Sequence, residues 1–329
     1  MADIKLMSAS GMFDNLSLSL PPNNEIVLDD AGLPSVMVKI PKLTYEDLGL
    51  EAVGTGTFPA WIVNGEEVPY IYISKYQNVV IDGKAYSLPY KQPKNRIKFD
   101  DALQYCEAKG AGWHLMSNIE WQAIALWCAK HDCMPYGNNN SGYDYYHTSD
   151  CGVIMPDGSY NITATGSGPK DWFHNNDFSG IADMNGNLTE LVGGIRIYNG
   201  EFQVIPDNNT VLHLDQSTES TEWKAILPGS NSENATLVTP GTAGTLVNIS
   251  GGLGVNGTDT PASSSAEVFF ERKADTCSSS LTAVPALAYA HGLLNHNITT
   301  ERTDAVYFNV SGEKLFRRGG SFSNNDDAG

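Results

Sequence analysis

Thiols and imidazoles are the side chains with which this chain could most directly hold a metal or form a covalent intermediate. Five cysteines, Cys106, Cys128, Cys133, Cys151 and Cys277, include no CxxC pair. An odd set of this kind argues against both a disulfide framework and a zinc knuckle, and reduced core thiols are expected. The seven histidines, His114, His131, His147, His174, His213, His291 and His296, show neither HxH nor HExxH spacing, and no GxSxG or Walker loop occurs. Scattered surface or core histidines are expected rather than a zinc site or a hydrolytic triad. The acidic pair Asp100-Asp101 reads as helix N-terminal charge and Glu120 as a capping residue, not as paired glycosidase carboxylates. No catalytic residue is predicted.

The elements that would position these groups are clearest in the middle of the chain. Phe99, Ala102, Leu103 and Cys106 fall at i, i+3, i+4 and i+7 with Gly110 beyond, which predicts an amphipathic helix. A second helix opens at Ser117-Asn118-Ile119-Glu120, a capping box, and runs through Trp121, Ile124, Ala125 and Cys128 to Lys130. Trp113, Trp121 and Trp127 lie in or beside it and are expected in the core. Tyr70 to Tyr76, dominated by aromatic and β-branched residues, predicts a strand. Residues 1–40 are turn-punctuated, with Val36 to Ile40 as a strand that stops at Pro41, and read as an arm for attachment or oligomerisation. Residues 41–329 then form the domain. Within it, 198–310 is rich in Thr, Ser, Asn and Gly and is expected to be an insertion with short strands of its own, such as one at 267–270.

Acidic residues outnumber basic ones 38 to 20, a net charge of -18, which repels phosphate backbones and anionic membranes. No nucleic-acid partner and no membrane insertion are expected. The first residues lack a secretory signal pattern, so synthesis in the cytoplasm without export by that route is expected.

Three stretches, in order, resemble the formylglycine-generating-enzyme-like branch of the C-type lectin fold. They are Gly112-Trp113-His114-Leu115-Met116-Ser117-Asn118-Ile119-Glu120-Trp121, then Gly180-Ile181-Ala182-Asp183-Met184-Asn185-Gly186-Asn187-Leu188-Thr189-Glu190, then Arg318-Gly319-Gly320-Ser321-Phe322. A narrower resemblance, carried by Ile40-Pro41-Lys42-Leu43-Thr44, Gly193-Gly194-Ile195-Arg196, Ser220-Thr221-Glu222-Trp223 and Glu271-Arg272-Lys273-Ala274-Asp275, is to the variable proteins of diversity-generating retroelements. Many of those are receptor-binding proteins of phage tails.

The resemblance implies an α+β domain whose variable region begins at about 318, in truncated form here, and displays a binding face made by Phe322, Ser323, Asn324, Asn325, Asp326 and Asp327. The strand at 318–322 is expected in the core sheet beside the helix that starts after Ser117. Implied partners are a host surface receptor, protein or glycan, and a tail or baseplate protein held by the N-terminal arm, with homo-oligomers as a further candidate; the implied location is the virion. An oxidase of the formylglycine-generating type, or a decayed relative, is the first alternative. Its copper thiolates would fall near Asn324, yet no cysteine follows Cys277. A structural virion protein is the second. Calcium is the one cofactor candidate, with Asp183 and Glu190 as side-chain ligands and the carbonyls of Gly186 and Leu188 beside them. On the residues alone, Asn185-Gly186 reads equally as a turn and Glu190 as a buried hydrogen-bond partner.

Overall fold

The computed structural model describes residues 20–155, 161–232, 235–249, 252–262, 266–269, 277–294, 305–308 and 311–325. Strand outweighs helix, and the class is α+β. Several strand pairs are dictated by two-residue turns. Asn64-Gly65, Asp82-Gly83 and Asn199-Gly200 all have positive φ at both positions. This is the type I′ turn, whose twist matches that of the strands it joins. They connect β3 (Ile62–Val63) to β4 (Glu66–Glu67), β6 (Val79–Ile81) to β7 (Lys84–Tyr86), and β8 (Glu190–Tyr198) to β9 (Glu201–Val204).

The predicted strand at Tyr70 is β5 (Tyr70–Ser74), and its partner corrects the expected N-terminal arm. β1 (Asn24–Leu28) and β2 (Pro34–Pro41) pair antiparallel, and β2 pairs with β5. Met37, Val38 and Ile40 are buried against the domain. Two buried amines fasten this sheet down. Lys75 Nζ donates to Asn24 Oδ1 and to the Phe178 carbonyl, and Lys109 Nζ donates to Ser35 Oγ at 2.7 Å while lying 3.2 Å from the Trp113 ring centroid. The domain therefore includes Asn24 to Pro41, and a boundary at 40 would cut a sheet; residues 1–19 lie outside the described part.

Helix α1 (Phe99–Glu107) buries Phe99 and Ala102, while Leu103 and Cys106 are half-buried. Helix α2 (Asn118–Lys130) carries the complete capping box at Ser117. Nine of its residues are buried, including Asn118, Glu120 and Gln122, so it is enclosed on more than one face. Its apolar side chains Ile119, Trp121 and Ile124 share one core with Val192, Ile195 and Ile197 of β8.

Strand β8 belongs to a seven-stranded sheet. The path runs β11 (Ala235–Val238), β10 (Lys224–Pro228), β9, β12 (Leu246–Ile249), β13 (Gly252–Val255), and β8 pairs both β9 and the late strand β16 (Glu313–Arg318). The 198–310 segment thus has strands, as expected, but β9 to β13 continue the sheet of β8 rather than standing apart. Helix α3 (Ala286–Ala290) packs on α2, where Asn118 Nδ2 donates to the His291 carbonyl at 2.9 Å. β14 (Ala266–Phe269) and β15 (Ala305–Phe308) pair with each other, close to the strand expected at 267–270.

The strand expected at 318–322 is displaced. β16 ends at Arg318, and Gly319 and Gly320, with φ of 83° and 63°, turn the chain out of the sheet. The expected neighbourhood is nevertheless present, since Arg318 Nη2 donates to Gln122 Oε1 of α2 at 2.6 Å.

Candidate functional site

Ser117 and Glu120 begin the site. The Glu120 carboxylate, 1% exposed, accepts from the Ser117 N–H at 2.9 Å and from Asn208 Nδ2 at 2.8 Å, and His114 Nε2 lies 3.1 Å from both of its oxygens. Burial alone would depress the His114 imidazolium, but the charge and hydrogen bond of Glu120 outweigh it and raise the histidine to about 9. Burial acts on Glu120 in the opposite sense, and His114 holds it below the usual carboxylate range. This pair rigidifies the start of α2.

The 183–190 segment converges on a single nitrogen. Gln77 Nε2 donates toward the carbonyls of Leu188 at 2.9 Å, Asp183 at 3.2 Å and Gly186 at 3.5 Å, and toward Glu190 Oε1 at 3.1 Å. Gly186, Leu188 and Glu190 thus surround one point, as the calcium expectation requires. Asp183 departs from it, because its backbone carbonyl meets Gln77 while its carboxylate accepts the Gly166 N–H at 2.7 Å. The central point is held by a neutral amide donor whose own Oε1 accepts from Asn187 Nδ2 at 3.1 Å. The residues as arranged do not fit a resident calcium ion, since the amide nitrogen of Gln77 stands at the point on which these oxygens converge and the Asp183 carboxylate is engaged by Gly166. Burial raises the Asp183 carboxyl to about 7; for Glu190 burial, opposed by the Gln77 hydrogen bond and aided by Asp183, raises it to about 8.

Buried amides carry this order outward. Asn187, fully buried, accepts from the Thr163 N–H at 2.9 Å and from Asn138 Nδ2 at 3.2 Å. Asn138, also fully buried, accepts from the Gly142 N–H at 2.6 Å. The loop that follows is pinned by Asp144, whose carboxylate accepts the N–H groups of Gly137, Tyr146 and His147 at 2.8 to 3.1 Å. On this base the loop displays Tyr143, Tyr145 and Tyr146, 41 to 49% exposed, with Val153 and Ile154 beside them. Tyr145 and Tyr146 meet edge to face at 5.2 Å.

The C-terminal turn is sewn to the same loop. Gly186 N–H donates to the Gly319 carbonyl at 2.6 Å, Phe322 N–H to that of Asn187 at 3.0 Å, Ser141 N–H to that of Phe322 at 2.6 Å, and Asn325 N–H to that of Asn139 at 2.8 Å. Of the face residues expected from the resemblance, Ser323 and Asn325 are exposed and Phe322 and Asn324 half-buried; Asp326 and Asp327 lie outside the described residues. Phe322 also lines a cleft of about 400 Å³ together with Arg96, Tyr105, Glu190 and Arg317.

Sequence reasoning singled out the 183–190 segment and the C-terminal residues, and it missed the tyrosine loop, Gln77 and the amide network. The tyrosines offered a signal only in composition: Tyr143-Asp144-Tyr145-Tyr146 stands in a stretch of Gly and Asn. The histidines were expected to be scattered, whereas His147 meets Asp150 and Asp171. Cys151 is exposed rather than a core thiol, and Cys106 and Cys277 are only half-buried. No protein-family profile matches the chain, and no curated protein matches it.

Proposed function

We propose that this chain is a ligand-binding display protein of the C-type lectin fold, in its formylglycine-generating-enzyme-like branch, that uses the 138–154 loop and the 319–325 turn as a receptor-contacting face. The observation that carries the reading is the rigid seating of exposed tyrosines and a polar turn on a buried amide network. Tyrosine supplies large contact area at low entropic cost, and Ser and Asn supply adaptable hydrogen bonds. The lectin assignment is supported by the meeting of the three resembling stretches: a side chain at Gly319 would lie 2.5 Å from the Met184 carbonyl and 3.1 Å from the Trp121 ring. Host-receptor adhesion from a phage tail is the role proposed for the face, with a protein or glycan as receptor.

The test compares the purified chain with a Tyr145→Ala/Tyr146→Ala double variant on a panel of bacterial cell surfaces and immobilised glycans. The expected result is retention of the parent chain on at least one surface and a loss of about tenfold or more in the variant, at unchanged melting temperature, as for aromatic residues central to an interface. Equal retention of both chains, or retention of neither on any surface, rejects the reading.

A further inference from the structure

In the same loop as the tyrosines and in the turn at 170–172, three side chains have the composition and spacing of a metal-ligand set. His147, Asp150 and Asp171 each place a ligand atom within 4.8 Å of the others. They come from the 144–151 loop and from the 3-10 turn Lys170–Trp172. The two segments are tied together by the Tyr136 N–H, which donates to the Asp171 carbonyl at 2.9 Å, and by the Tyr136 ring, which lies 3.8 Å from the His147 ring centroid.

Two observations point to a cation. His147 Nδ1 and Asp150 Oδ2 are 3.5 Å apart, too far for a good hydrogen bond. That separation is close to the roughly 3.3 Å between two ligands bound at about 2.0 to 2.1 Å on a tetrahedral zinc ion. Separately, Asp171 Oδ1 is closed to solvent and has no hydrogen-bond partner. A buried carboxylate oxygen left without a donor is costly, and a metal ion would satisfy it. The remaining Asp150 oxygen is already engaged, Oδ1 facing Ser149 Oγ at 3.3 Å, which leaves Oδ2 for the cluster.

We propose that His147, Asp150 and Asp171 form a binding site for a divalent transition-metal ion of the zinc class. One imidazole nitrogen with two carboxylates suits such an ion, whereas calcium prefers oxygen donors throughout. His147 is exposed, so the cluster can be reached from solvent, and water or a donor atom from a bound molecule would supply a fourth ligand. The ion would cross-link the loop that carries Tyr145 and Tyr146 to the body of the domain. This inference stands on the cluster itself and not on the receptor-binding reading.

The test is isothermal titration of the untagged full chain with zinc chloride, and with calcium chloride for contrast, alongside melting curves in each salt. One zinc per chain, bound more tightly than about 10 μM and accompanied by a higher melting temperature, is expected. His147→Gln and Asp171→Asn should each weaken zinc binding by about 100-fold or more while melting near the parent in chelator, and His131→Gln, at an exposed histidine away from the cluster, should leave it unchanged. Absence of stoichiometric zinc binding, zinc binding undiminished in both cluster variants, or calcium binding as tight as zinc each overturns the proposal.

Discussion

Glu120 shows how much one buried carboxylate can organise. It closes the capping box, holds Asn208 and pairs with His114, and its oxygens have donors on every side. Because the folded protein raises His114 from its ordinary 6.5 to about 9, protonation favours the folded state. That contribution is fully present below about pH 6.5, is lost as pH rises toward 9, and by linkage is worth about 3 kcal/mol. His114→Gln should therefore cost about that much more at pH 6 than at pH 10, as read by denaturant unfolding at the two pH values. An equal cost at both would mean that the imidazole contributes packing and not charge. The cap itself was legible, since Ser117 and Glu120 are neighbours in sequence and the motif is local. The partner His114 was visible only as a residue, because nothing in the spacing says which way its ring turns. Gln77 was not legible at all: it lies more than 100 positions before Glu190, and an ordinary glutamine in a β-rich stretch carries no sign that its amide fills the centre of a remote loop.

At the scale of elements, the turn after β16 decides what the C-terminal residues can display. A Cβ at Gly319 would sit 2.5 Å from the Met184 carbonyl at a φ of 83°, so Gly319→Ala must move either the turn or the 183–190 segment. It is expected to cost about 2 to 3 kcal/mol. Gly312, with a φ of 68° and nothing within 4 Å of the equivalent position, separates backbone strain from close approach, and Gly312→Ala should cost only about 1 kcal/mol. Thermal or urea unfolding of the two variants measures the difference, and equal losses would remove the close-approach argument. Local elements of this kind were partly read in advance: the helices at Phe99 and Asn118 and the strand at Tyr70 were expected, whereas the three two-residue hairpins went unread although Asn-Gly or Asp-Gly marks each of them. The extent of the last strand was not legible, because Arg318 to Phe322 has the residue types of a strand, whereas the positive φ of Gly319 and Gly320 turns the chain out of the sheet where Gly319 comes close to Met184 and Trp121. The His147, Asp150 and Asp171 cluster escaped for a related reason, since about 20 positions separate its two segments and no fixed spacing marks a site assembled from two loops.

Across the whole molecule, the stretch that looked most like an insertion is built into the central sheet. Strand β8 has β9 on one side and β16 on the other, and β9 continues to β10 and β12, so sheet order joins residues far apart in the chain. Sequence patterning could not show this, because the pairing of Glu313 with Tyr198 depends on the return of the chain after more than 100 residues, and long-range pairing leaves no local mark. One network makes the union concrete. Trp223, 1% exposed, donates Nε1 to the Ser217 carbonyl at 3.0 Å, and the Arg196 guanidinium of β8 lies 4.5 Å from its ring centroid. Arg196 in turn donates to Gln203 of β9 at 2.8 Å and pairs with Glu313 of β16 at 2.5 Å. Truncation by Trp223→Ala would leave a cavity within the 198–310 segment and remove the surface against which Arg196 is held, at a cost of about 3 to 5 kcal/mol. If the segment and the rest of the sheet are one cooperative unit, that loss lowers a single transition seen together by far-ultraviolet circular dichroism and by tryptophan fluorescence. Two separable transitions, with only one displaced by Trp223→Ala, would make the segment an independent appendage and defeat the argument from sheet order.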